Sequence, residues 1–133
     1  MFLVDTNVWL ERLLDQERSS EVARFLDRIP GDQLFITDFS LHSIGLIMTR
    51  LKQSEAFVRF VNDAFDYGAV RLIHLLPQDL EQVVEKIKQF RLDFDDAYQL
   101  VAVEKHSLTR VSFDGDFDHT EQKRKTPGEI LAG

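Results

Sequence analysis

An α/β fold, a three-layer α/β/α sandwich around a mainly parallel sheet of four or five strands, is what this sequence predicts. Short apolar runs alternate with longer segments of helical period, and strands separated by helices imply crossover connections. Acidic residues fall where apolar runs stop, at Asp5 and Asp114. In a parallel sheet such positions lie beyond the carboxyl ends of the strands, where ligands bind.

In chain order, Phe2-Leu3-Val4 reads as a buried strand, followed by a helical face of Val8, Trp9, Leu10, Leu13 and Leu14. Ser19-Ser20 offers an N-cap to a second helix that stops at Pro30-Gly31. Leu34-Phe35-Ile36 is the second strand. A helix from near Ser40 carries Leu41, Ile44, Leu46, Ile47, Met48 and Leu51, and another runs from Ser54 to Tyr67 and ends at Gly68. Val70 to Leu76 forms the third strand, and Pro77 suits the first turn of a helix through Phe90. A last long helix, about Asp95 to His106, precedes a fourth strand from Leu108 to Ser112.

The chain has 133 residues, 44% of them hydrophobic and 11% aromatic, enough for one domain spanning residues 1–133 with one core. Zero cysteines exclude disulfides, thiolate zinc sites and cysteine nucleophiles, and accord with a reducing, cytoplasmic setting. Met1 leads straight into a strand, which leaves no room for a signal peptide. No apolar run approaches the roughly 18 residues needed to span a bilayer, so no membrane association is expected.

Sixteen Lys and Arg against 23 Asp and Glu give a net charge of −7, which repels nucleic acid globally. Binding a phosphate backbone would then require metal ions in the acidic region and a local basic patch. Lys123-Arg124-Lys125 is the densest candidate; a solvated tail explains it equally well.

Each acid has a structural explanation too. Asp5 can simply cap the first helix, Asp95 or Asp96 the last long one, and Asp114-Gly115 is a common turn pair. Three such acids converging on one sheet edge favour a site, because Mg²⁺ and Mn²⁺ take hard oxygen ligands and can activate water beside a phosphodiester.

The set Asp5-Thr6-Asn7 after a strand, Asp96-Ala97 opening an apolar helix, Ser112-Phe113-Asp114-Gly115-Asp116-Phe117, and the closing Thr126-Pro127-Gly128-Glu129-Ile130-Leu131 resembles the PIN domain, the nuclease domain of VapC-type toxins. The resemblance covers nearly the whole chain. It implies a Mg²⁺- or Mn²⁺-dependent endoribonuclease acting on single-stranded or structured RNA, and a cognate antitoxin protein covering the pocket. It matches Asp5, Asp96 and Asp114 to the metal-binding catalytic acids, Asp116 to the accessory catalytic acid, and Thr6 and Asn7 to supporting polar residues.

One position departs from the family pattern. The usual glutamate lies six residues beyond the small polar residue ending the second strand; with Thr37 in that place, the register puts Ser43 where the glutamate belongs. The site would carry one negative charge fewer, and a catalytically degenerate PIN-like binding module is the alternative this raises. A phosphoryl-transfer domain of dehalogenase type fits less well, because Asn7 stands where its second aspartate is needed.

His42 reads as a helix-face residue, His74 as a core or edge residue, and none of the four histidines has metal-ligand spacing. Trp9 and the eleven phenylalanines sit mostly at core spacing rather than as a base-stacking platform. The apolar excess on the helices from Leu41 to Phe65 suggests a protein contact, self-association into a homodimer or a bound partner segment.

Overall fold

The computed structural model describes all residues, Met1–Gly133. Four parallel strands, β1 (Phe2–Val4), β2 (Leu34–Thr37), β3 (Arg71–Ile73) and β4 (Thr109–Val111), form one sheet in the order β3-β2-β1-β4. Around it lie α1 (Thr6–Leu13), α2 (Ser19–Arg28), α3 (Asp38–Arg50), α4 (Ser54–Val61), α5 (Leu80–Phe90), α6 (Phe94–His106) and α7 (Pro127–Ala132). Strand β1 is central, with Leu3 in register with Phe35 on one side and with Arg110 on the other.

The two-residue period of a strand assigns side chains to opposite faces. Leu3, Phe35, Leu75 and Leu108 pack with Val83 of α5 and the α6 run from Ala97 to Val103. Val4, Leu34, Ile36 and Val111 face the other way, toward Val8 and Trp9 of α1, Val22 and Phe25 of α2, Ile44 and Met48 of α3 and Phe60 of α4. These two apolar layers flank the sheet and make the three-layer sandwich that the alternating pattern implied. No helix is long and apolar enough to cross a membrane.

Local chemistry shifts several expected boundaries. Helix α2 starts at Ser19 itself; its cap position is Arg18, with no side-chain cap, and the Ser19 hydroxyl instead accepts from Arg12 Nη1 at 3.2 Å. Helix α3 begins at Asp38, because the Thr37 hydroxyl accepts from the Ser40 amide at 3.2 Å and so caps two residues earlier than expected. The segment after α4 continues as a π-helix over Asn62–Tyr67, and Gly68 follows in a right-handed conformation while Ala69 takes the left-handed one, with φ 60°. Glycine is instead required at Gly31, where an added Cβ would lie 1.5 Å from the Gly68 carbonyl oxygen.

Strand β3 is shorter than Val70 to Leu76, and Pro77 opens a separate 3-10 turn, Pro77–Asp79, before α5. His74 falls outside the strand and is exposed, rather than a core residue. His42 is exposed on α3, and much of the apolar surface from Leu41 to Phe65 packs inward, leaving Leu46, Leu51 and Val58 as the large exposed residues there. Arg124 pairs with Asp118 at 3.3 Å, and the Lys125 backbone bridges to Val111, so the basic triplet is anchored to the sheet and is no free tail.

Candidate active site

The carboxyl ends of β1 and β4 and the start of α6 enclose a cavity of about 350 Å³ lined by Asp5, Thr6, Asn7, Ser43, Asp96, Gln99, Asp114 and Asp116, with Asp93 and Asp95 at its edge. The same strand-end geometry that the sequence suggested therefore brings Asp5, Asp96, Asp114 and Asp116 to one pocket, with Thr6, Asn7 and Ser43 beside them. A separate cleft of about 480 Å³, lined by Trp9, Arg12, Asp27 and Phe60 among others, includes none of these acids.

Asp5 does cap α1, accepting from the Thr6 amide at 2.7 Å, and it does far more. Its Oδ1 also accepts from Gln99 Nε2 at 2.8 Å. Its Oδ2 accepts from Arg110 Nη2 at 2.8 Å, from the Ser112 hydroxyl at 2.9 Å and from Asn7 Nδ2 at 3.3 Å. Five donors meet a carboxylate that offers about four lone-pair directions. Asn7 is held in turn, since its Oδ1 accepts from the Phe113 amide and its Nδ2 donates to the Ser112 hydroxyl.

Arg110 and Gln99 are the residues that the sequence reading overlooked. Strand alternation points Arg110 to the α6 side of the sheet, where it is 1% exposed, stacked at 3.8 Å over the Phe117 ring. Its Nε donates to Gln99 Oε1 at 3.0 Å and its Nη1 to the Asp114 carbonyl at 3.2 Å. An arginine inside the apolar run Leu108 to Ser112 was the available signal, because a buried guanidinium needs an anion close by.

The other acids are arranged differently. Asp93 caps α6 by accepting from the Asp96 amide at 2.8 Å, so neither Asp95 nor Asp96 is the cap. That frees the Asp96 carboxyl for the pocket. Burial, followed by a hydrogen bond with Asp116 and the charges of Asp93 and Asp116, pushes Asp96 up to about 7. Asp114 is raised by burial and by Asp116, while hydrogen bonds from Asp114 and Asp96 hold Asp116 below the usual range. Asp114 also forms the expected turn, accepting from the Asp116 amide at 3.1 Å.

Asp96, Asp116 and Asp114 thus form a run of neighbouring carboxyls in one pocket, each shifting the next. Such a donor set suits a hard divalent cation, whose charge would offset the mutual repulsion of the acids. It is not preassembled, for no three acidic or histidine side chains already form a metal-holding group. His119 stays peripheral, its ring nitrogen 2.7 Å from the Phe90 carbonyl oxygen.

The raised acids carry a pH consequence. Between about 4 and 7 the folded chain keeps a proton on Asp96 that the unfolded chain has lost, so metal-free stability falls as pH rises through that window. Asp114 acts in the same sense; the lowered Asp116 opposes it, contributing stability that is lost only toward acid. Thermal melts in EDTA should give a lower Tm at pH 8 than at pH 5, and Asp96→Asn should shrink the difference. An unchanged difference in that variant would contradict the assignment.

A parallel sheet with acids gathered beyond the ends of the adjacent strands β1 and β4 defines a class of α/β domain built around an acidic pocket. The chain belongs to the PIN domain family, whose model matches residues 2–123. No curated protein matches it by sequence. Among solved structures, a toxin–antitoxin complex from Klebsiella pneumoniae is similar at TM-score 0.75 and 21% identity, covering 98% of this chain and 100% of that one. The sarcin-ricin loop cleaving toxin VapC20 of Mycobacterium tuberculosis is similar at TM-score 0.79 and 20% identity, covering 96% and 100%. FitAcB of Neisseria gonorrhoeae follows at TM-score 0.71 and 20% identity, covering 96% and 98%. At these identities the likeness is one of fold.

Proposed function

We propose that this chain is a divalent-metal-dependent endoribonuclease, the toxin of a toxin–antitoxin pair, and that residues 1–133 act as one domain. The observation that carries the reading is the convergence of Asp5, Asp96, Asp114 and Asp116 on one pocket at the carboxyl edge of a PIN-family sheet. The toxin–antitoxin complex from Klebsiella pneumoniae among its structural neighbours supports an antitoxin as partner.

Asp96, Asp114 and Asp116 would hold Mg²⁺ or Mn²⁺, with Asp5 beside them. When bound, the ion would neutralise a phosphodiester and lower the pKa of a water. The chain's own residues do the rest. Asp114 and Asp116, the more exposed acids, can orient and accept a proton from the attacking water at a carboxylate oxygen. Asn7, Ser112, Gln99 and Arg110 fix Asp5 in one orientation, and the Asp93 cap fixes where α6 delivers Asp96. The pocket has no basic lining residue, so a phosphate backbone would meet its positive charge outside, with Arg124 and Lys123 the nearest dense source in sequence.

The direct test is cleavage of a single-stranded RNA across a Mn²⁺ titration, with EDTA as control. Slow endonucleolytic cleavage that requires the metal is expected; cleavage that survives EDTA would contradict the reading. Two observations favour a degenerate binding module as the second reading, namely the serine at position 43 and the guanidinium seated on Asp5. RNA that binds but is never cut, with Mn²⁺ bound, would select it.

Ser43 gives a further prediction. It lines the pocket and brings no charge. Ser43→Glu adds a hard anionic oxygen and should tighten Mn²⁺ binding, by about tenfold if it gains roughly 1.4 kcal/mol of ion attraction. Calorimetry showing equal affinity in the two chains would sink this account of Ser43.

A further inference from the structure

We propose that Arg110 is a built-in counter-cation that occupies Asp5 in place of a divalent ion, so that Asp5 is a positioning residue and the ion is left to Asp96, Asp114 and Asp116. The inference rests on the metal-dependent reading above and assigns its ligands differently from the resemblance, which puts Asp5 among them.

Three observations carry it. The Arg110–Asp5 pair is 2.8 Å long, with the two side chains only 1% and 13% exposed, so it is a buried charge pair and not a surface contact that solvent screens away. Asp5 is saturated, with five donors and no lone-pair direction left for a cation. Arg110 cannot readily swing aside. Its guanidinium is stacked on Phe117 and tied to Gln99 and to the Asp114 carbonyl as well as to Asp5, and arginine does not lose its proton.

A divalent ion on Asp5 would therefore have to displace a guanidinium that is hydrogen-bonded on several sides, with two positive charges meeting in a buried space. Asp96, Asp114 and Asp116 have no such competitor. The one hydrogen bond these three carboxyls accept is from the Asp116 amide to Asp114, and none of them is paired with a cation. The same guanidinium links the two halves of the pocket, because one edge holds the Asp5 carboxylate and the other holds the backbone carbonyl of Asp114. Arg110 thereby aligns the loop carrying Asp114 and Asp116 with the end of β1.

The experiment combines Mn²⁺ calorimetry with melts in EDTA on the full chain, for the wild type, Arg110→Met, the double variant Arg110→Met/Asp5→Asn, and Asp96→Asn. Methionine keeps the length of the arginine stem without its charge. In Arg110→Met the positive charge on Asp5 is gone and its Oδ2 keeps only the Ser112 hydroxyl and the 3.3 Å Asn7 contact, so a cation can approach that oxygen, and Mn²⁺ should bind about tenfold or more tighter than in the wild type, in line with the range over which supporting residues tune metal affinity. Mn²⁺ should also raise the Tm of Arg110→Met more than that of the wild type. The double variant should return to wild-type affinity, and its EDTA melt should lie above that of Arg110→Met, since no lone buried charge remains. Asp96→Asn should lose binding.

Equal Mn²⁺ affinity in the wild type and Arg110→Met would overturn the proposal, and so would a double variant that binds as tightly as Arg110→Met. Failure of the ribonuclease reading looks different: a wild-type chain that binds Mn²⁺ and leaves RNA uncut. If Arg110→Met does not fold, Arg110→Lys supplies the second arm. It keeps a positive charge on Asp5 and should retain wild-type affinity, whereas tighter Mn²⁺ binding in Arg110→Lys would count against Arg110 as the counter-cation.

Discussion

Asp96→Asn is expected to cut RNA cleavage by about a hundredfold to ten-thousandfold while leaving the metal-free chain at least as stable at pH 8 as the wild type. The loss follows from removing one anionic ligand. Stabilisation of transition-state charge by a bound ion is worth several kcal/mol, and each 1.36 kcal/mol is a factor of ten in rate. The stability half comes from the same carboxyl. Burial and the neighbouring acids Asp116 and Asp93 push Asp96 up to about 7, so at pH 8 the folded chain carries a charge that its surroundings disfavour. An amide of the same size removes that charge, and its N–H can donate to Asp116. The α6 cap is untouched, because Asp93 provides it by accepting from the backbone amide of residue 96. Cleavage rates and EDTA melts on the two chains check both halves. A variant that loses activity because it has unfolded, or that cleaves normally, would refute the assignment of Asp96.

The sandwich was legible in the sequence because its signals are local. A buried strand such as Phe2-Leu3-Val4, a run of helical period and an acid at the junction each occupy a few consecutive residues. Asp5, Asp96 and Asp114 could be placed at one sheet edge for the same reason, since parallel topology brings strand ends together. What stayed hidden depends on contacts between distant residues. Arg110 meets Asp5 across 105 positions, and Gln99 meets it across 94. Nothing in either neighbourhood names the partner, although an arginine within a buried strand demands one. Cap positions were misread for a smaller reason. Asp93, Asp95 and Asp96 all have the right side chain, and only the backbone of Asp93, extended at φ −75° and ψ 174°, sits before the first turn.

Asp5→Asn should behave in the opposite way to Asp96→Asn, costing about 3 to 5 kcal/mol of stability, the range for removing one partner of a buried ion pair. From sequence the exchange looks silent for the fold, since the amide keeps the size and the cap-forming oxygen of aspartate. The structure alters that expectation. All five groups around the Asp5 carboxylate come in as donors, and an amide has one acceptor oxygen and one donating nitrogen. If the oxygen stays toward the Thr6 amide and Gln99, the new N–H₂ points at Arg110 and Asn7; if it turns to Arg110, it confronts Thr6 and Gln99. The Ser112 hydroxyl offers no relief, because it already accepts from Asn7 Nδ2 and from the Asp114 amide. Arg110, buried against Phe117, would be left without its anion. Against a total stability of about 5 to 15 kcal/mol the cost is large, and for a chain of this size it corresponds to a Tm lower by on the order of 10 °C or more. The double variant Asp5→Asn/Arg110→Met should recover much of the loss, because removing both charges leaves nothing buried and unpaired. Melts in EDTA separate this from any effect of metal. An Asp5→Asn chain whose Tm falls by less than about 2 °C would show that Arg110 finds another anion or reaches water, and that Asp5 is not its counter-charge.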